Sequence, residues 1–150
     1  MPDKNDQSGE DIGPGNGKKG ISLDIEYDTL NNSDFRRVLY TGEKLQLVLM
    51  ALKPGEEIGE EIHGDKDQFF RFEAGEGEVL INDKVNAVED GIAVIVPAGA
   101  KHNVRNTGED VLTFYTLYSP PDHKDKTVHK TKDEAEKNHD EDEFDGKTSE

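Results

Sequence analysis

Four residues of this chain have the types and the spacing to hold a metal ion. Glu61 and His63 are separated by one residue, Gln68 follows shortly afterwards, and His102 lies in a separate stretch. Successive side chains of a strand point to opposite faces, so Glu61 and His63 would project from the same face. Two imidazoles and one carboxylate form a ligand set used for divalent iron and related ions, with positions left open for water or substrate. Gln68 would add a weak fourth ligand. If Glu61 is not a ligand, it is a candidate catalytic general base.

Short strand-like runs surround these residues. Between residues 35 and 118, runs rich in β-branched and aromatic residues are separated by turn pairs such as Thr41-Gly42, Pro54-Gly55 and Asn82-Asp83. This spacing is typical of an all-β sandwich or barrel, and no helical period of useful length interrupts it. The pattern alone predicts an antiparallel β-barrel or jelly roll.

Two motifs sharpen that prediction. Residues 91–106 read G-x5-P-x-G-x2-H-x3-N, and residues 55–75 read G-x5-E-x-H-x4-Q-x6-G. Together they resemble the paired motifs of the cupin superfamily over residues 45–118, and residues 54–75 resemble the small cupins grouped as mannose-6-phosphate isomerase-like. Glu61 stands where cupins usually have a histidine, and Gln68 where they usually have a glutamate. These two exchanges leave the total charge of the ligand set unchanged.

The resemblance implies a double-stranded β-helix, the jelly-roll barrel of cupins. It also implies one divalent transition metal, Mn, Fe, Ni or Zn, held inside the barrel by Glu61, His63, Gln68 and His102. Other interpretations remain open from the residues alone. Glu61 also belongs to a run of acidic residues that would suit a solvated loop, and Gln68 would equally suit a hydrogen bond to the barrel backbone.

Three phenylalanines are candidates for the lining of a ligand pocket. If Gln68 faces inward, Phe70 and Phe72 share its face of the strand, and Phe114 joins them from the last strand. Such residues would form the apolar wall of a pocket that has the metal site at its base. The alternative is an ordinary barrel core, because core and pocket share one lining in a narrow barrel.

Composition divides the chain into a barrel and two tails. Residues 1–20 are rich in Gly, Asn and Asp, which predicts a disordered leader, and residues 21–120 are the predicted cupin β-barrel domain. Polar and apolar residues alternate from Ser22 to Tyr27, which predicts a strand at the beginning of this domain. Residues 121–150 are acidic and poor in hydrophobic residues, which predicts a largely disordered tail. Only Thr131 to Lys137 suit a short capped helical turn.

Charge and composition exclude several classes of partner. A formal net charge of -16 argues against nucleic acid, whose binding requires a basic surface. The chain contains no cysteine, so any metal must be held by oxygen and imidazole. No apolar stretch is long enough to span a membrane, and the first residues lack a cleavable apolar run, which favours a cytoplasmic location.

Exposed strands at residues 22–27 and 36–40 would need covering, which favours a homodimer.

The residues leave three classes of function. The favoured one is a metal-dependent protein that acts on a small polar organic molecule, with isomerase, lyase or dioxygenase chemistry. The second is a non-catalytic module that binds a small molecule in the same barrel. The third is a structural or storage role with an empty barrel. The resemblance to cupins supports the fold more strongly than it supports any one of these functions.

Overall fold

Two antiparallel β-sheets share one hydrophobic core in residues 16–150, the part of the chain that the computed structural model describes. The elements in chain order are α1 (Ile25–Leu30), β1 (Arg36–Thr41), β2 (Gln46–Leu52), β3 (Glu61–Ile62), β4 (Asp67–Ala74), β5 (Glu76–Ile81), β6 (Lys84–Glu89), β7 (Ala93–Val96), β8 (Lys101–Asn106), β9 (Leu112–Ser119), β10 (Val128–His129) and α2 (Lys132–Lys137). One sheet has the strand order β10-β1-β2-β9-β4-β7 and the other the order β3-β8-β5-β6. The predicted all-β jelly roll is therefore confirmed.

The core forms because the strands alternate between buried and exposed side chains. In β4, Phe70 and Phe72 are fully buried, whereas the intervening Arg71 is partly exposed. β4 pairs antiparallel with β9, which places Phe72 opposite Phe114. Their ring centroids are 4.9 Å apart. Burying one phenylalanine side chain contributes roughly 1.5–3 kcal/mol, so these aromatic residues on one face of the six-stranded sheet are a main source of core stability.

Gly75 allows β4 to turn into β5 beside the start of β9. Its φ is +91°, a conformation that residues with a side chain rarely adopt. A Cβ atom built there would lie 2.6 Å from the carbonyl oxygen of Val111. Only glycine fits this position, and the motif glycine therefore serves the turn.

The prediction of a disordered tail at residues 121–150 is wrong, and we call residues 120–150 the C-terminal cap. β10 pairs antiparallel with β1, with His129 opposite Arg36. The short helix α2 begins after Thr131, whose side chain accepts a hydrogen bond from the backbone N–H of Glu134, as the capping motif predicted. Ala135 of α2 joins the hydrophobic core.

Backbone hydrogen bonds, rather than apolar burial, order the C-terminal cap. The buried side chain of Gln46 donates to the carbonyl oxygen of His123 at 2.7 Å and accepts from the backbone N–H groups of Asp122 and His123. Further along, the backbone N–H of Ser149 donates to the carbonyl oxygen of Thr41 at 2.8 Å. A buried amide that lost such partners would carry a desolvation penalty, so Gln46 holds the cap in place.

The start of the domain also differs from its prediction. The segment predicted as a strand contains helix α1, because Asp24 accepts a hydrogen bond from the backbone N–H of Tyr27 and caps a first turn that carries acidic residues. Residues 1–15 of the predicted leader lie outside the described residues. β1 is paired with β10 and is not a bare edge, so it no longer argues for the homodimer, which stays a prediction. Within residues 16–150, no helix is long and apolar enough to cross a membrane.

Candidate metal centre

The pairing of β3 with β8 brings Glu61 beside His102. The two residues are directly opposite each other in the antiparallel register, so their side chains leave the sheet on the same face. His63 follows β3 and is held in place because the backbone N–H of Gly99 donates to its carbonyl oxygen at 2.9 Å. Ile62, the residue between Glu61 and His63, points outward, and 62% of its surface is exposed. The predicted alternation of Glu61 and His63 thus holds, with Ile62 on the opposite, exposed face.

Three ligand atoms converge at this point. His63 Nε2 lies 3.3 Å and His102 Nε2 3.9 Å from Glu61 Oε1. One ligand atom from each of the three residues lies within 4.8 Å of the others. Protein ligands of zinc and similar ions lie about 2.0–2.2 Å from the metal, which places pairs of ligand atoms roughly 3–4 Å apart. Small side-chain adjustments suffice to bring the three atoms to one ion.

The environment of His102 favours metal binding. Its Nδ1 lies 3.4 Å from the carbonyl oxygen of Ala100, which suits a ring that carries its proton on Nδ1. Nε2 then presents a lone pair, and in the described part of the chain this buried atom has no hydrogen-bond partner. Burial also lowers the pKa of His102, which keeps the ring neutral. An orphaned imidazole nitrogen directed at a carboxylate and a second imidazole fits a cation.

His63 is oriented from both sides of its ring. Nε2 faces Glu61, and Nδ1 lies 3.8 Å from Oδ1 of Asp122, a residue of the C-terminal cap. Burial lowers the pKa of His63, but the hydrogen bond with Glu61 and the negative charge of Asp122 outweigh it, so the pKa lies above its ordinary value. A carboxylate behind a ligating histidine raises the basicity of the ring and fixes its orientation. Sequence reasoning missed Asp122 because it lies in the predicted tail.

Glu61 is suited to be an anionic ligand. Burial raises the pKa of its carboxyl group, but the hydrogen bond with His63 and the electrostatic attraction of His63 and Arg36 outweigh that effect. The net shift is downward, so Glu61 stays ionised at neutral pH. A carboxylate with a lowered pKa is a weaker general base than one with a pKa near the working pH. The lowered pKa and the short distances to both imidazoles therefore favour Glu61 as a ligand over Glu61 as a catalytic base.

Gln68 is buried in β4 and makes a hydrogen bond with a neighbouring strand. Its Nε2 donates to Oγ1 of Thr116 at 3.0 Å. Its Oε1 is buried and has no hydrogen-bond partner among the described residues. The amide oxygen is the atom that would ligate a metal, so its lack of a partner leaves the predicted role as fourth ligand open. The predicted alternative of a hydrogen bond to the barrel backbone is replaced by a bond to a side chain.

A cavity of about 620 Å³ lies beside the centre, between the barrel and the C-terminal cap. The barrel contributes Arg36, Glu61, His63 and Lys66 to its wall, and the cap contributes residues that include Asp122, His123, His129 and Phe144. The predicted pocket residues Phe70, Phe72 and Phe114 do not line this cavity, because they are fully buried in the core. The ring of Phe70 packs 6.1 Å from that of His102. The phenylalanines thus support the centre from behind.

The site contains further residues for which the sequence held only weak signals. Arg36 shares a strand face with the buried Val38, so the alternation places a charged residue on an apolar face. His123 Nε2 lies 3.3 Å from the hydroxyl oxygen of the buried Tyr118. Burial lowers the pKa of His123 well below its ordinary value, which keeps that ring neutral as well. No spacing pattern in the sequence distinguished His123 and His129 from tail residues.

Comparisons with known proteins agree with this architecture. Residues 48–118 match the family described as Cupin domain. The uncharacterized protein YrkC of Bacillus subtilis (strain 168) is 45% identical over 125 residues, which cover 79% of this chain and 67% of that protein. The uncharacterized protein L612 of Acanthamoeba polyphaga mimivirus is 41% identical over 105 residues, which cover 67% of this chain and 66% of that protein. The chain therefore spans about two thirds of the length of each.

A solved structure extends the similarity to most of the fold. The crystal structure of BH2720 from Bacillus halodurans has a TM-score of 0.78 and 43% sequence identity, and it covers 85% of this chain and 98% of that chain. The matched region is longer than the stretch that contains the two motifs, residues 55–106. Because the paired motifs, the two-sheet jelly roll and these relatives all agree, the chain belongs to the cupin family.

Proposed function

We propose that the chain binds one divalent transition metal ion through Glu61, His63 and His102 and uses it on a small polar organic molecule in the adjacent cavity. The observation that carries this proposal is the buried Nε2 of His102, which lacks a hydrogen-bond partner in the described residues and lies 3.9 Å from Glu61. Two imidazoles and one carboxylate suit Mn, Fe, Ni or Zn.

The chain's own residues would orient the ligands and enclose the substrate. Asp122 stands behind His63 and the carbonyl group of Ala100 stands behind His102, so both rings are held in one orientation. The C-terminal cap forms one wall of the cavity and limits the access of water. A bound ion supplies Lewis acidity, which polarises a carbonyl or enediol oxygen. Isomerase, lyase and dioxygenase chemistry all fit such a centre.

Metal analysis of protein purified without an affinity tag tests the proposal. We expect about one equivalent of a transition metal per chain, either as purified or after soaking and dialysis, because three preformed ligands bind one ion. Elemental analysis by mass spectrometry measures it. Less than about a tenth of an equivalent after soaking with each of the four candidate metals would overturn the proposal.

A non-catalytic binding function is the second candidate, and the lowered pKa of Glu61 favours it. That shift makes Glu61 a weaker base for acid–base catalysis. The two candidate functions differ in whether the bound molecule is converted to a product. Metal-loaded protein incubated with sugars, keto acids and catechol-like compounds would be followed by NMR. Product formation that requires the metal supports an enzyme, whereas ligand-induced shifts without product support a binding module.

We expect metal affinity to fall as the pH falls. The raised pKa of His63 means that this imidazole takes up its proton above the ordinary value of about 6.5, while the lowered pKa of His102 delays its protonation to lower pH. Protons compete with the metal, so affinity should drop by about tenfold per pH unit below the pKa of His63 and more steeply once His102 also titrates.

Chelator competition between pH 5 and pH 8 measures this profile. The matched control is His139→Gln, which removes a histidine whose side chain is 73% exposed and leaves the three ligands intact. Its profile should superimpose on that of the wild type. A profile that is flat across this range would contradict imidazole ligation.

A further inference from the structure

Arg36 differs from the other arginines of the chain in its surroundings. Arg37, Arg71 and Arg105 each lie within 4 Å of a carboxylate oxygen, at 3.3 Å, 3.6 Å and 3.6 Å respectively. Arg36 is the most buried of the four, with only 7% of its surface exposed, and it makes no ion pair with a carboxylate among residues 16–150. A guanidinium group remains charged at any physiological pH, so a buried one without an anionic partner is costly.

Among residues 16–150, the one hydrogen bond of the Arg36 side chain leads to the imidazole of His129. Nη1 lies 3.3 Å from Nδ1 of His129, and Nε2 of His129 lies 2.7 Å from a carboxylate oxygen of Asp142. A carboxylate accepts a hydrogen bond from Nε2–H, which leaves Nδ1 as the acceptor for the guanidinium N–H. The imidazole therefore separates Arg36 from Asp142, and the positive charge of Arg36 is not neutralised by direct contact.

Part of the guanidinium group is left without a partner beside the cavity. Nε of Arg36 is buried and has no hydrogen-bond partner in the described residues. The same side chain lines the cavity that Glu61 and His63 line. Guanidinium groups bind carboxylates through two parallel N–H donors, which gives both energy and a fixed orientation. A buried cation with an unpartnered Nε donor at the wall of a cavity of about 620 Å³ suits an anionic group of a small molecule.

We propose that Arg36 anchors the carboxylate of a small organic acid whose remaining polar groups face the Glu61, His63 and His102 centre. This inference rests on the proposed function, since the metal centre would handle the other end of the ligand. Arg36 is then a specificity-determining residue. It selects molecules that carry a negative charge at one end and an oxygen-bearing carbon nearby.

The charges around the cavity favour a carboxylate over a phosphate. Lys66, the lysine of the cavity wall, lies 3.1 Å from Asp65 and 3.7 Å from Asp122, so its ammonium group already has carboxylate partners. Asp142 and Glu143 also line the cavity. Arg36 would offset one of the two negative charges of a phosphate dianion, and the other charge would face these acidic groups. A carboxylate carries a single negative charge, which one guanidinium offsets.

Binding of a matched set of probes tests the proposal. The probes are pyruvate and lactate, their uncharged amides, and inorganic phosphate, each titrated into zinc-loaded and metal-free protein and followed by ¹H–¹⁵N NMR. We expect the acids to bind wild-type protein at least about tenfold more tightly than their amides. Arg36→Gln should weaken acid binding by about tenfold or more, since charge-assisted hydrogen bonds are lost. Zinc content should stay unchanged.

Two variants serve as controls. Arg37→Gln removes the neighbouring arginine, whose side chain is 49% exposed, and should bind the acids like wild type. Arg36→Lys keeps the charge but removes the two-pronged geometry, and it should bind the acids more weakly than wild type while retaining zinc. Thermal melts establish that each variant is folded, and if Arg36→Gln fails to fold, the comparison rests on Arg36→Lys and on the acid–amide pairs.

Several outcomes would overturn the inference while leaving the metal centre intact. These are acids that do not bind wild-type protein, acids that bind no better than their amides, acid binding that survives in both Arg36 variants, or phosphate that binds more tightly than the acids. Failure of the wild-type protein to take up any of the four candidate metals would instead overturn the proposed function. Acid binding to the metal-free protein would then still report on Arg36 by itself.

Discussion

Replacing His102 with alanine is expected to abolish the uptake of a transition metal. The residue supplies a buried Nε2 that has no other partner in the described residues, and Glu61 and His63 alone leave only two ligands. Mutation of groups that merely orient a ligand costs about 10–100-fold in metal affinity, so the loss of a ligand should reach or exceed the upper end of that range. Metal content after dialysis and chelator competition measure the change.

Added metal should also stabilise the wild-type fold and not the His102→Ala variant. A ligand present at about 100 times its dissociation constant stabilises the folded state by about 2.7 kcal/mol. For a domain of this size, that gain raises the melting temperature by roughly 5–11 °C. Thermal melts with and without zinc therefore give a second readout that does not depend on activity. An equal shift in the variant would contradict the assigned ligand.

His139→Ala is the matched control for this prediction. His139, Asp140 and Glu143 form the other cluster of potential ligand groups in residues 16–150, and all three are exposed. Exposed acidic clusters are common without a metal, so this variant should retain full metal uptake. If His139→Ala loses the metal and His102→Ala keeps it, the centre has been assigned to the wrong end of the cavity.

The sequence could predict that Glu61, His63 and His102 converge because Glu61 and His102 lie on paired strands and His63 directly follows β3. The side-chain period of two placed Glu61 and His63 on one face, and the motif spacing placed His102 in the strand that pairs with β3. Neither observation depends on distant parts of the chain. Gln68 is buried, which meets the condition that the pocket prediction set, but its hydrogen bond to Thr116 depends on the pairing of β4 with β9, which no local pattern shows.

The C-terminal cap could not be predicted from hydrophobic content. Its order comes from backbone pairing with β1 and from the amide of Gln46, and such contacts leave no apolar period in the sequence. The consequence for function is large, because the cap supplies Asp122 behind His63 and His129 beside Arg36. A reading limited to the barrel motifs therefore finds the candidate metal ligands and misses the residues that would orient them and recognise a small molecule.

Replacing Phe114 with alanine is expected to destabilise the fold by about 3–5 kcal/mol, the usual cost of removing a buried aromatic side chain. Phe114 is fully buried, with its ring centroid 4.9 Å from that of Phe72 and 5.9 Å from that of Phe70. The melting temperature should fall by roughly 6–20 °C. Metal uptake at a temperature where the variant is folded should be unchanged, because Phe114 supports the centre without lining the cavity.

Phe69→Ala is the control that separates core from surface on the same pair of strands. Phe69 lies on the opposite face of β4, is only partly buried, and packs against Tyr115 at 6.3 Å between ring centroids. Its loss should cost less than about half as much as the loss of Phe114, because a partly exposed ring leaves no closed cavity behind. If Phe114→Ala instead costs under about 1 kcal/mol and weakens small-molecule binding, the phenylalanines line a ligand pocket after all, since a core position would not tolerate the truncation.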